Sequence, residues 1–177
     1  VVAGNWTHVG PKETFWREEH RPGQPVAPWQ VNVYSFDIAA TNPTVLYAGT
    51  ETGALFKTNN KGVSWEMIAP EFRFGSSLRE VAIAPSNPAI VMVSSGNSLF
   101  RTIDGGSSWS NVLTVNNLNC DHLEIDPFSP QIVLAASGEG LYQTANGGSS
   151  WSQSLAGHRV YSVDYKADDP SVVFALT

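Results

Sequence analysis

Short apolar runs separated by Gly, Asn, Ser and Pro fill the chain, and no window carries a convincing helical period. The runs recur in a fixed order. An alternating segment comes first: VYSFDIA at 33–39, LREVAIA at 78–84, CDHLEID at 120–126 and VYSVDYK at 160–166. A proline turn follows, then a β-branched and aliphatic run: VLYAGT at 45–50, IVMVSS at 90–95, IVLAAS at 132–137 and VVFALT at 172–177. Runs this apolar suit strands covered on both faces. A Gly- or Asn-containing turn leads to a third segment, ALFKT at 54–58, SLFRT at 98–102 or GLYQT at 140–144. An octapeptide then turns the chain into a fourth strand that is predicted to begin at its Trp.

Two markers keep one beat. The octapeptides TNNKGVSW at 58–65, TIDGGSSW at 102–109 and TANGGSSW at 144–151 align without gaps, placing Trp65, Trp109 and Trp151 44 and then 42 residues apart. Pro43, Pro88, Pro130 and Pro170 follow at intervals of 45, 42 and 40. A period of ~40–50 residues with four strands per unit is that of a propeller blade. The expected fold class is therefore all-β, a β-propeller of four-stranded antiparallel blades with about three and a half blades present. The divisions are 1–10, an outer ring-closing strand; 11–31, a connecting loop; 32–70, 71–114 and 115–156, three blades; and 157–177, the first half of a fourth. A ring typically needs about 4–8 blades, so the polypeptide is expected to continue past Thr177.

Turn chemistry accounts for the octapeptides. Asn60, Asp104 and Asn146 can accept backbone N–H bonds within their own turns. Gly62, Gly106 and Gly148 supply a position expected to need positive φ. Thr58, Thr102 and Thr144 can bond back across the hairpin, and each Trp is expected to bury its ring between blades.

Composition narrows function more than it defines it. Net charge is −6 with pI near 5.1, and no basic patch stands out, which argues against nucleic acid and anionic membrane surfaces as partners. No stretch is apolar for long enough to span a membrane as a helix. The lone Cys120 excludes an internal disulfide framework and reads as a small buried hydrophobe. His8, His20, His122 and His158 lack metal-ligand spacing, and neither a phosphate loop nor a nucleophile elbow occurs, so no metal or cofactor is expected. A start at Val1 with no signal segment reads as a processed or excised piece.

The octapeptides resemble the Asp-box pattern, Ser/Thr-x-Asp-x-Gly-x-Thr/Ser-Trp, with Asp104 at the name-giving position and Asn60 and Asn146 replacing it. The pattern occurs in bacterial sialidases, xyloglucanases, sortilin-type receptors and photosystem assembly factors. The phrase at 42–50, with Leu55-Phe56-Lys57-Thr58 after it, and the segment from Trp6 to Pro11 are most similar to exported propeller proteins of Bacteroidetes-like bacteria. That resemblance implies a secreted or cell-surface location and a binding or scaffolding role. A sialidase would need an arginine cluster to grip a carboxylate. Arg73 lies in FRFG without the proline of the sialidase motif, and Arg101 sits in a third strand away from the channel.

Binding is expected at the loops leading into the first strand of each blade, on a protein partner or a glycan. The candidates are Trp29, Tyr34, Phe72, Arg73, Phe74, Arg79, Asp121, His122, His158, Arg159 and Tyr161, with Phe72 and Phe74 equally suited to cover the core beneath a long loop. Proline alignment makes Tyr34, Arg79, Asp121 and Tyr161 equivalent, and places Phe36, Val81, Leu123 and Val163 in the core. One face of these strands repeatedly carries carboxylates: Asp37, Glu80, Glu124 and Asp164. They admit two readings, a channel lining bonded to neighbouring backbone, or the acid pair of a xyloglucanase-like glycoside hydrolase with Asp37 and Glu124 as its catalytic candidates.

Overall fold

A computed structural model describes residues 32–166 and 169–177; the expected segments 1–10 and 11–31, with Trp29, lie outside that range. Among the described residues every regular element is a strand. β1 (Val33–Ile38), β2 (Leu46–Thr50), β3 (Leu55–Thr58) and β4 (Glu66–Ile68) form one antiparallel sheet in chain order. β5 (Leu78–Ile83), β6 (Val91–Ser95), β7 (Ser98–Thr102) and β8 (Ser110–Thr114) form the second. β9 (Cys120–Ile125), β10 (Val133–Ser137), β11 (Gly140–Thr144) and β12 (Ser152–Ser154) form the third. β13 (Ser162–Lys166) and β14 (Asp169–Leu176) form a two-stranded fourth, giving the three and a half propeller blades that the repeat implies. Each fourth strand begins one residue after its Trp.

The blades stack face to face. β1 lies against β5, β5 against β9, and β9 against β13, which brings the first strands together along one side. Side chains alternating off each sheet fill the layer between blades. Ala39, Val45, Tyr47 and Leu55 meet Leu78, Val81, Ile83, Val91 and Val93, and a second layer joins Ala82, Met92 and Leu99 to Leu123, Ile125, Val133 and Tyr142. Each fully buried Leu or Val contributes roughly 1.5–3 kcal/mol over an exposed one. Phe36 departs from the expectation of a core position: it is 65 % exposed, while its equivalents Val81, Leu123 and Val163 are buried. The difference is positional, because among the described residues no blade lies on the outer face of β1.

Hydrogen bonds join the two sequence markers within each blade. The octapeptide turn donates to the proline turn, Lys61 N–H to Thr44 O, Gly105 N–H to Ala89 O and Gly147 N–H to Gln131 O, at 3.0, 2.9 and 2.8 Å. The common phase of Pro and octapeptide is therefore a physical contact repeated three times.

Inside each octapeptide the Thr hydroxyl is the hub. Thr102 Oγ1 donates to Asp104 Oδ1 (2.7 Å) and accepts from the N–H groups of Asp104 and Gly106, and Thr58 and Thr144 repeat the arrangement. The Asx oxygen accepts from a backbone N–H four residues on: Ser64, Ser108 and Ser150 donate to Asn60, Asp104 and Asn146, each at 2.9 Å. This donor set, led by the Ser108 side chain, holds the Asp104 carboxyl well below the usual carboxylate range. Gly106 and Gly148 adopt φ of 98° and 91°, and a Cβ on Gly148 would meet Val112 Cβ of the preceding blade at 2.7 Å.

The same turns also clasp the neighbouring blade. Lys57 Nζ and Tyr47 Oη of the first blade both donate to Gly105 O at 2.9 Å, and Arg101 Nη1 of the second donates to Gly147 O at 3.0 Å. Trp109 packs edge-on against Phe74, and Trp151 donates through Nε1 to Val112 O. Trp109 is buried as expected, whereas Trp65 and Trp151 are half-buried.

Thr102→Val retains the shape of a 2 % exposed side chain but leaves the Gly106 N–H without its acceptor. It is expected to lower stability by about 1–3 kcal/mol. Ser107→Ala, at an exposed hydroxyl in the same turn, should stay within roughly 0.5 kcal/mol of the parent. Urea unfolding of the two variants checks both values.

Candidate functional site

The first strand of each sheet has a ladder on one side and leaves backbone groups on the other. Side chains of the preceding blade satisfy them. Asp37 Oδ2 accepts the Ile83 N–H at 2.7 Å while its Oδ1 accepts from Ile38. The Leu123 N–H faces the Glu80 carboxylate, and His122 Nδ1 accepts the Val163 N–H at 3.3 Å. On the carbonyl side, Ser35 Oγ donates to Leu78 O and Ser94 Oγ to Cys120 O, at 3.1 and 3.3 Å.

The carboxylates of this face sit in one another's field. Burial pushes the Asp37 carboxyl up, and the Ile83 and Ile38 N–H groups partly offset the rise. Glu80 is pushed up to about 7, first by burial and then by the charges of Asp37, Asp121 and Glu124, against the opposing Leu123 N–H. Glu124 also reaches about 7, through burial and the charges of Asp164 and Asp37. His122 Nε2 stands 4.0 Å from Glu80 Oε1. Since Nδ1 accepts from Val163, the neutral ring carries its proton on Nε2, facing Glu80. Among the described residues no three His, Cys, Asp or Glu side chains are placed to hold a metal ion.

Beside this face runs a rim built by a repeated irregularity. Register slips by one residue between Val33 and Ser35, between Leu78 and Glu80, and between Cys120 and His122. Each β-bulge leaves one residue, Tyr34, Arg79 or Asp121, without a partner across the ladder and re-aims its side chain. Tyr161, just before β13, holds the equivalent place, and its N–H donates to Leu176 O. Arg79 Nη1 stands 3.7 Å from Asp121 Oδ1, Arg159 donates to Asp121 Oδ2, and the Arg159 guanidinium lies 5.0 Å from the centroid of Tyr161. Tyr34 and Tyr161 are more than half exposed.

The remaining candidates divide. Arg73 and His158 are exposed in the loops before β5 and β13. Phe72 and Phe74 turn inward instead of lining a binding surface: Phe74 is 5 % exposed, and both rings meet Phe100 edge-on in the layer between the first two blades. A long loop over two apolar sheets needs such a cover. Cys120 is buried as expected, and burial pushes its thiol up. Arg101 lies away from the first strands and clasps the next blade. The recurrence of Lys57 and Arg101 one position before the octapeptide Thr was a signal of this role.

Raised carboxyl pKa values reverse the usual dependence of stability on pH. For Glu80 and Glu124 the folded value of about 7 exceeds the unfolded one. The stabilisation from their bound protons is complete below about pH 4.5 and is lost as pH rises through 7. Glu80→Gln, a neutral side chain of the same shape, should therefore raise the melting temperature at pH 8 and leave it unchanged at pH 4. Calorimetry at the two pH values checks this.

No family model matches the chain, and no curated protein matches its sequence. Solved structures do. An ancestral GH74 enzyme superposes with a TM-score of 0.70 at 21% identity over 81% of this chain and 21% of its own. The GH74 xyloglucanase from Xanthomonas campestris gives 0.64 at 18% identity, over 77% of this chain and 26% of its own. YCF48 from Cyanidioschyzon merolae gives 0.60 at 19% identity, over 80% of this chain and 49% of its own. YCF48 bound to D1 peptide gives 0.54 at 17% identity, over 78% and 44%. The chain thus spans a fifth to a quarter of these GH74 proteins and about half of YCF48. At these identities the likeness establishes the fold, a run of β-propeller blades of four antiparallel strands.

Proposed function

We propose that this chain is part of a non-enzymatic Asp-box propeller, secreted or at the cell surface, that binds a protein partner along the bulged rim of its first strands. One observation carries the reading: Asp37, one of the two carboxylates that a hydrolase would need, is engaged in holding blades together. It accepts two backbone N–H groups, one of them from the next blade. A nucleophile or base with its oxygens so occupied is poorly placed to reach substrate. The rim offers the opposite character, exposed tyrosines and arginines on rigid strand ends, the residue types enriched where proteins meet. The binding of D1 peptide by YCF48 supports a protein as the partner class. The location rests on the sequence resemblance to exported bacterial propellers.

A second reading is favoured by Glu124, whose carboxyl, raised to about 7 beside Asp164 and Asp37, has the character of a general acid. With the likeness to GH74 structures, it keeps a xyloglucanase-like activity, or a glycan as ligand, as the alternative.

Two measurements separate the readings. The protein is applied to a random peptide array and a polysaccharide array, and reducing ends are measured after incubation with xyloglucan. Peptide binding that weakens in the double variant Tyr34→Ala/Tyr161→Ala, with no release of reducing ends, is the expected result. Xyloglucan cleavage that vanishes in Glu124→Gln would overturn it.

As an inter-blade tie, Asp37 also has a stability signature. Asp37→Ala should cost about 1–3 kcal/mol by stranding the Ile83 N–H, and Asp37→Asn, which can still accept that bond, should cost less. Urea titration of the two variants provides the check.

A further inference from the structure

The described part of the chain has four arginines: Arg73, Arg79, Arg101 and Arg159. Arg101 serves the blade interface, and the other three lie on or just before first strands, at one rim of an otherwise acidic protein. Arg79 and Arg159 come from different blades and converge on the single carboxylate of Asp121. Each arginine side chain is 48% exposed, so both are open to a ligand from solvent. A guanidinium carries five N–H donors, and one carboxylate shared by two of them leaves a surplus of donors. The Tyr161 ring beside Arg159 and the bulge beneath Arg79 fix where those donors stand.

We infer that Arg79 and Arg159 form a carboxylate-binding fork, and that the partner docking on this rim does so through an acidic, extended peptide segment whose Asp or Glu side chain competes with Asp121 for the two guanidiniums. The inference rests on the protein-binding reading above and names the chemistry of its partner. Asp121 acts as a placeholder. It holds the two arginines at a common focus in the free protein, and half-exposed ion pairs of this kind are weak enough to exchange. An incoming carboxylate gains charge-assisted, bidentate bonds from donors already in place. Exposed Tyr34 and Tyr161, at the equivalent positions on the first and fourth blades, flank the fork and offer apolar faces to the residues on either side of the acid. An extended peptide running across the first strands would meet these positions in turn.

The probes are fluorescein-labelled hexaglutamate, hexalysine and a galacturonic-acid hexamer, followed by fluorescence anisotropy on the whole protein. Hexaglutamate should bind in preference to both others, with an affinity that falls as salt rises. Arg79→Gln and Arg159→Gln should each weaken it about tenfold, the loss of one charge-assisted pair. Asp121→Asn should strengthen it severalfold by removing the internal competitor, an effect that a merely structural Asp121 would not produce. Lys61→Gln, at an exposed cation in the octapeptide turn of the first blade, provides the control for nonspecific charge. Weaker binding in Asp121→Asn, equal loss in the Lys61 variant and both arginine variants, or preference for the galacturonic-acid hexamer would overturn the inference. The random peptide array distinguishes its failure from that of the broader reading: rim-dependent peptides without acidic enrichment sink the fork alone, and no peptide binding sinks both.

Discussion

The structure depends on how the backbone of one first strand is completed by the side chains of another. A propeller's innermost strands present an unpaired edge, and an edge with orphan N–H groups is both costly and prone to wrong pairing. Here the answer is a side chain from the preceding blade, Asp37 for Ile83 and His122 for Val163. Two residue types perform one task, which is why such residues look functional in the sequence and structural in space. The energetic consequence is visible in the carboxyl groups. Burial of this face, with the crowding of like charge, raises Glu80 and Glu124 to about 7.

That arrangement also bears on the choice between enzyme and scaffold. A perturbed carboxylate in a cleft is an ordinary sign of catalysis, but inter-blade networks perturb pKa values by the same physics. What separates the cases is where the oxygens point. Asp37 has both oxygens on backbone, so its elevation belongs to the fold. The rim spans the first strands of different blades, and its geometry follows from blade stacking, as does the inter-blade core.

Much of the fold was legible in the sequence, for a definite reason. The octapeptide and the proline turn are local hydrogen-bonding devices whose residue types are dictated by turn geometry, so Thr102, Asp104 and Gly106 announce themselves wherever they occur. Strand order followed from their period. The site was less legible because its geometry is not local. The fork depends on register slips at Arg79 and Asp121 that no residue type signals, and on Arg159 reaching from the following blade. Phe72 and Phe74 suit two readings in the sequence, exposed binding aromatics or cover for the core, and the proximity of Phe100 and Trp109 favours the second. Phe36 shows the converse. Its position in the repeat is right, and its exposure reflects which neighbouring blade the described chain contains.

The bulge has a bearing on how such proteins diversify. By taking one residue per blade out of the ladder, it frees that residue from both cross-strand pairing and the inter-blade layer, two constraints that fix its neighbours. Tyr, Arg and Asp occupy this position at 34, 79, 121 and 161 and have no size, charge or polarity in common, while the positions two residues on are Phe or aliphatic throughout. Such a position can drift without loss of folding, so specificity can be rewritten one blade at a time, in a row of independent letters carried on an invariant frame.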